Sequence, residues 1–262
     1  MVRTATVLAV SSALLASLTA CGNPFDSGAT SNGSDGSDGS EADRFSFFYT
    51  SLDAMRRLSG SDDGFGGDLR FGQETGLEGA DSICQTIAEG EEAGDKTWRA
   101  FLSAVSGPDG EPLHAIDRIG NGPWYDRKER LIARDIGGLI ADRPMGDPET
   151  VNDLPDETGE GTSQLGSTAD AITGSNQLGL LHADAAMDAA NTCNDWTDAT
   201  LERVFVQAGH TWLSGGLANW ISAHAERSCV PGVNLNSTGV SDGSSIGSGG
   251  GWGGFYCFAL TP

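Results

Sequence analysis

Ala80, Ile83, Cys84, Ile87 and Ala88 recur at the i, i+3, i+4, i+7, i+8 spacing of a single helix face, and Gly90 and Gly94 follow to end the run. This is the clearest helix in the chain, and its spacing predicts that Cys84 lies on the buried side. Elsewhere the pattern shortens to that of strands. Phe45-Ser46-Phe47-Phe48-Tyr49-Thr50 is aromatic and β-branched and predicts an opening strand. Trp98, Ala100, Leu102 and Ala104 alternate with Arg99, Phe101 and Ser103, the period-two signature of another. Pro123-Trp124-Tyr125 and Arg130-Leu131-Ile132-Ala133 predict two short strands across the polar turn Asp126-Arg127-Lys128-Glu129. The run from Gly253 to Leu260 is apolar at successive positions, as a strand covered on both faces would be. Between these elements, residues 59–76 read as a glycine-rich loop, and 143–182 and 207–252 as long surface loops.

The N-terminal region has a different pattern. Arg3 precedes an uncharged stretch from Ala5 to Leu18, the layout of a secretory signal and too short for a spanning helix with a stop-transfer flank. Leu18-Thr19-Ala20-Cys21 resembles the bacterial lipobox, which implies cleavage after residue 20 and acylation of Cys21. Two or three acyl chains give stable anchoring, at about 0.8 kcal/mol per buried methylene. Residues 21–44 are rich in Gly, Ser and Asp and predict a disordered tether, with a reach on the order of 25 Å. The expected organisation is therefore a signal peptide (1–20), a tether (21–44) and one domain (45–262). The expected location is the bacterial cell envelope, at the outer membrane or cell surface, held by the lipid.

Charge narrows the set of partners. Loss of residues 1–20 removes Arg3 and no acid, so the 15 Lys and Arg become 14 against 37 Asp and Glu, and the formal charge moves from −22 to −23. A chain this acidic lacks the basic patch that nucleic acids or other polyanions require. With Cys21 set aside, Cys84, Cys193, Cys229 and Cys257 remain. An even number in an exported chain predicts two disulfides, with three connectivities open.

Phe48-Tyr49-Thr50-Ser51, Gly79-Ala80-Asp81-Ser82-Ile83-Cys84, Thr97-Trp98-Arg99-Ala100-Phe101-Leu102-Ser103, Cys193-Asn194-Asp195-Trp196-Thr197 and Tyr256-Cys257 together resemble, in order, the endostatin-like domains of bacterial lipoproteins, in the C-type lectin-like superfamily. The resemblance implies an α+β domain with few helices, a short-stranded antiparallel sheet and long loops. It also implies the pairs Cys84–Cys257 and Cys193–Cys229.

The motifs for sugar-bound calcium do not carry over. Where a C-type lectin has Glu-Pro-Asn, this chain has Glu111-Pro112-Leu113, and Asn194-Asp195-Trp196 reverses the order of the Trp-Asn-Asp strand. Endostatin's zinc and heparin sites lack their histidines and their positive charge here. His210 and His224 lie near Asp195 and Asp198 in sequence, but such isolated histidines read as packed or solvated, so no metal or cofactor is expected. The expected function is non-enzymatic: recognition or adhesion toward an extracellular glycan or protein ligand, with oligomeric state left open. Trp212 and Trp252 are the candidate ligand-binding residues, Trp252 because its glycine-rich flanks suggest exposure, while Trp196 and Trp220, each near a cysteine, are expected in the core. The alternatives are a structural envelope protein, or a glycan hydrolase using paired carboxylates such as Asp156 and Glu157 against another acid.

Overall fold

The computed structural model describes residues 43–165, 169–212, 219–236 and 240–261, all within one compact unit, Glu41–Pro262. Cys21 and the expected signal segment and tether, up to residue 42, lie outside the described residues. The architecture is mixed α and β, with short helices and small, mainly antiparallel sheets. None of the described helices is long and apolar enough to cross a membrane.

The opening aromatic run forms β1 (Phe47–Tyr49), and the alternating run forms β2 (Trp98–Ala100), shorter than its pattern predicts. The predicted hairpin forms as β3 (Trp124–Tyr125) and β4 (Leu131–Ala133). Beyond it come β5 (Asp170–Ile172), β6 (Glu202–His210), β7 (His224–Ser228), β8 (Gly251–Gly254) and β9 (Tyr256–Ala259). Strand β9 is central, as its two apolar faces require: it lies between β1 and β2, antiparallel to both, with Cys257 opposite Phe48 on one side and Ala100 on the other. The second sheet runs β7-β6-β5-β8, with β5 and β8 parallel and the other pairs antiparallel.

This second sheet corrects the expectation of long loops at 143–182 and 207–252. Asp170, Ala171 and Ile172 are buried between β6 and β8, although their local sequence is short and Gly-rich on both sides. Their partners lie tens of residues away, beyond the reach of a local pattern.

Helix α1 (Leu52–Ser59) follows β1, where no helix is expected. Ser51 caps it by accepting from the Ala54 amide, and Gly60 ends it at φ 69°. Helix α2 (Gly76–Gly90) is the predicted amphipathic helix. Thr75 and Glu78 form a reciprocal capping box at its start, and Ala80, Ile83, Cys84, Ile87 and Ala88 face the core.

The two disulfides are Cys84–Cys257, which ties α2 to β9, and Cys193–Cys229. The core is aromatic and continuous between the sheets. Phe45 and Phe48 pack on Trp98 at 5.1 and 5.0 Å, while Trp220 packs on Phe101 and Tyr256 at 5.3 and 5.1 Å. Trp196 and Trp220 are fully buried, as expected. Trp252 is buried as well, which overturns the expectation of an exposed aromatic: its indole packs at 5.3 Å from Tyr49 and donates to the Thr50 carbonyl at 3.0 Å. Its glycine flanks serve close packing rather than exposure.

Candidate functional sites: an open groove and a histidine–carboxylate cluster

The exposed side of α2, strand β2, residues 104–108 and the turn at 195–197 enclose an open groove of about 880 Å³. Its floor is an ion-pair network. One nitrogen of Arg118, Nη2, donates to both oxygens of Asp81 at 2.9 Å, Arg99 approaches the same carboxylate at 3.3 Å, and the Ala100 amide donates to it at 2.8 Å. Burial pushes the Asp81 carboxyl upward against the pull of Arg118 and Arg99 and pushes the Arg118 guanidinium downward. Arg99 is half-exposed, and Gln73, Glu74, Glu78 and Ser106 form an exposed polar rim. Leu77, Leu113 and Pro108 supply apolar surface between them.

One wall of the groove is a left-handed turn. Cys193, Asn194, Asp195 and Trp196 all have positive φ, between 51° and 65°. Left-handed helix costs roughly 1–2 kcal/mol per residue for side chains with a Cβ, so four in succession require strong tethers. The Thr192 hydroxyl accepts from the Asp195 amide at 3.2 Å. The Asp195 carboxylate accepts from the Val105 and Ser106 amides at 2.6 and 3.1 Å, the Trp196 indole donates to the Ser103 carbonyl, and Cys193 is held by its disulfide. Helix α2 begins against this turn at Gly76, where a Cβ would stand 2.3 Å from the carbonyl oxygens of Asp195 and Trp196.

The second site lies at one end of the β7-β6-β5-β8 sheet. Register places Asp170 of β5 opposite His210 of β6, and Ala208 of β6 opposite His224 of β7, so three strands bring one carboxylate and two imidazoles together. His224 Nε2 lies 3.1 Å from Asp170 Oδ2, His210 Nε2 lies 3.6 Å from Asp170 Oδ1, and His224 Nδ1 lies 3.8 Å from Glu226 Oε1. The imidazole of His210 stacks on the Trp212 indole at 4.6 Å and 16°. The side chains of Asp170 and Glu226 are 2% and 0% exposed, those of His210 and His224 14% and 22%.

Hydrogen bonding at this cluster is incomplete. Among the described residues, both oxygens of Asp170, His210 Nδ1, His224 Nε2 and Glu226 Oε1 are buried without a well-formed hydrogen bond. The 3.1 Å contact of His224 with Asp170 is close enough for an ion pair but lacks hydrogen-bond alignment. Burial, reinforced by His224 and Arg143, lowers His210 despite Asp170. At His224 burial opposes the charged form, but Asp170 and Glu226 outweigh it and the pKa is raised. Burial and the Asp170 charge push Glu226 upward. Arg143 bonds from behind to the His210 carbonyl.

Sequence distance misjudged this site. Asp195 and Asp198, the acids set beside these histidines on sequence grounds, are occupied elsewhere, Asp195 at the groove wall and Asp198 in a turn with Thr200. Asp170 replaces them, and only the strand register reveals it. Trp212 is half-buried, with its ring committed to His210. Of the acids in the hydrolase alternative, Glu157 is buried on Ser51, and Asp156 accepts from Thr158 and Glu160 within its own turn. No protein-family model matches the sequence, and no curated protein is significantly similar to it, so the functional reading rests on the geometry of these two sites.

Proposed function

We propose that the chain is an exported lipoprotein whose C-type lectin-like domain is a recognition or adhesion module for a glycan or protein ligand at the bacterial cell envelope. The groove is the observation that carries this reading. It is open and sized for a small oligosaccharide or a peptide segment, and it places apolar patches beside hydrogen-bonding side chains. Arg99 offers a planar fork of donors and is held in place by Asp81, and Gln73, Glu74 and Ser106 offer both donors and acceptors around the rim. A strained turn maintained at the wall is the kind of feature that folds retain at binding sites.

The lectin-like reading draws support from the nested disulfides and from the antiparallel pairing of the first strand with the last, which closes the domain on its own ends. The net charge of −22 favours neutral or cationic ligands over polyanions.

The test is binding of the folded domain to an array of envelope glycans, peptidoglycan fragments and matrix proteins, with Arg99→Ala as the comparator. A ligand that binds the native domain and is lost in the variant, at unchanged melting temperature, is expected. Absence of any ligand across the array overturns the reading.

A further inference from the structure

We propose that Asp170, His210 and His224 are the protein ligands of a divalent transition-metal site of the zinc class. The inference does not depend on the groove. One candidate ligand atom from each residue can be chosen so that all three lie within 4.8 Å of one another. A tetrahedral ion with bonds of 2.0–2.1 Å needs its ligands about 3.4 Å apart. The two histidine–aspartate contacts, 3.1 and 3.6 Å, are close to this spacing, His224 on Oδ2 and His210 on Oδ1 of the carboxylate. From separations of up to 4.8 Å the three ligand atoms must draw together to this spacing, a movement of side chains on a fixed ladder of strands.

The state of Asp170 supplies independent support. Its carboxylate is 2% exposed, and neither oxygen accepts a well-aligned hydrogen bond among the described residues. Burying a carboxylate without well-formed hydrogen bonds costs several kcal/mol, and native proteins offset it with an ion pair or use the group to hold a cation. A histidine–aspartate proton-sharing pair would account for the His224 contact alone. It leaves Asp170 Oδ1 and Glu226 Oε1 unexplained, whereas a metal uses the first and orders the second. Glu226 stands 3.8 Å from His224 Nδ1, so a small closing movement would let its carboxylate take that N–H and orient a ligating imidazole. The close approach is prepared in the backbone: Glu226 Oε2 accepts from the Gly249 amide at 3.0 Å, and a Cβ at residue 249 would stand 2.2 Å from Glu226 Oε1.

Donor chemistry sets the metal class. Two imidazoles and one carboxylate suit zinc and its neighbours, whereas calcium and magnesium take oxygen ligands throughout. Three protein ligands leave a coordination position for water or for an oxygen or nitrogen of a bound molecule.

The experiment uses the chelator-treated full domain and Zn²⁺ or Co²⁺ as the probe. In the native chain, Co²⁺ is expected to bind one ion per chain with visible ligand-field bands, and Zn²⁺ to displace it. His210→Ala, His224→Ala and Asp170→Asn are expected to abolish the bands, and Glu226→Gln to weaken affinity by about 10- to 100-fold. His182→Ala, whose histidine caps a helix away from this cluster, is expected to change nothing. Because a cluster variant can fail to fold, imidazole nitrogen shifts are followed in the native chain as Zn²⁺ is added. Large shifts confined to His210 and His224, with His114 and His182 unmoved, support the site. Lack of Zn²⁺-dependent shifts at His210 and His224, or equal metal uptake by a folded His210→Ala/His224→Ala variant, overturns it.

Discussion

Replacing Asp195 tests how the groove wall is held. Its carboxylate accepts from the Val105 and Ser106 amides at 2.6 and 3.1 Å while its own backbone sits at φ 55° and ψ 44°. Asp195→Ala removes both acceptors and leaves a left-handed residue without the polar side chain that makes this conformation tolerable. Bonds to a charged acceptor contribute about 1.5–3 kcal/mol each, so losing both costs about 3 kcal/mol or more. At a urea m-value of about 3 kcal/mol/M, this lowers the unfolding midpoint by about 1 M. Asp195→Asn keeps an acceptor for Val105 and tolerates the left-handed region, so its midpoint should fall about half as far. Urea unfolding followed by tryptophan fluorescence measures both. An Asp195→Ala midpoint within about 0.2 M of native, less than about 1 kcal/mol at that slope, would show that the turn does not depend on this carboxylate and refute the account of the wall.

The remaining predictions concern the core and its ionisable groups. Paired Cys→Ala variants should rank by loop length: the separations of 173 and 36 residues imply that losing Cys84–Cys257 costs about 1.4 kcal/mol more than losing Cys193–Cys229, and the reverse order in urea would contradict this. Trp252→Ala should cost about 3–5 kcal/mol in thermal or urea unfolding, since the indole is fully buried and bonded to Thr50, and a nearly neutral effect would place this ring outside the core. Glu157 is buried beside Ser51, and burial raises its pKa above the ordinary 4.5. The folded chain therefore keeps this proton longer than the unfolded chain does, so the group's contribution is most favourable below about pH 4.5 and declines as pH rises through the folded value. The stability of Glu157→Gln relative to native should accordingly grow as pH rises from 4.5, and a gap that shrinks over that range would reverse the assigned sign.

Legibility in the sequence followed the range of the interactions. Helix α2 could be read from Ala80 to Ala88 because its periodicity and its Thr75–Glu78 cap are local. Strand β9 could be read because a strand covered on both faces must be apolar throughout. Helix α1 left a weaker trace, Ser51 and Gly60 bracketing eight residues with only three buried positions. Strand β5 left almost none, since Asp170-Ala171-Ile172 becomes a strand only through β6 and β8. The cluster was missed for the same reason: its histidines are visible as residues, but the aspartate that joins them is set by register across 40 residues of chain separation. Trp252 shows the converse error, in which glycine neighbours suggest exposure whereas the fold uses them to bring backbone close to rings.

Chemical-shift mapping of the domain against the best ligand from the binding array tests the recognition reading most directly. The account predicts that amide shifts concentrate on Gln73 to Gln85, Arg99, residues 104–108 and Asp195 to Thr197, the groove and its left-handed wall. Shifts that bypass these residues, or saturable binding that leaves them unmoved, would contradict the claim that the groove is where this domain meets its ligand.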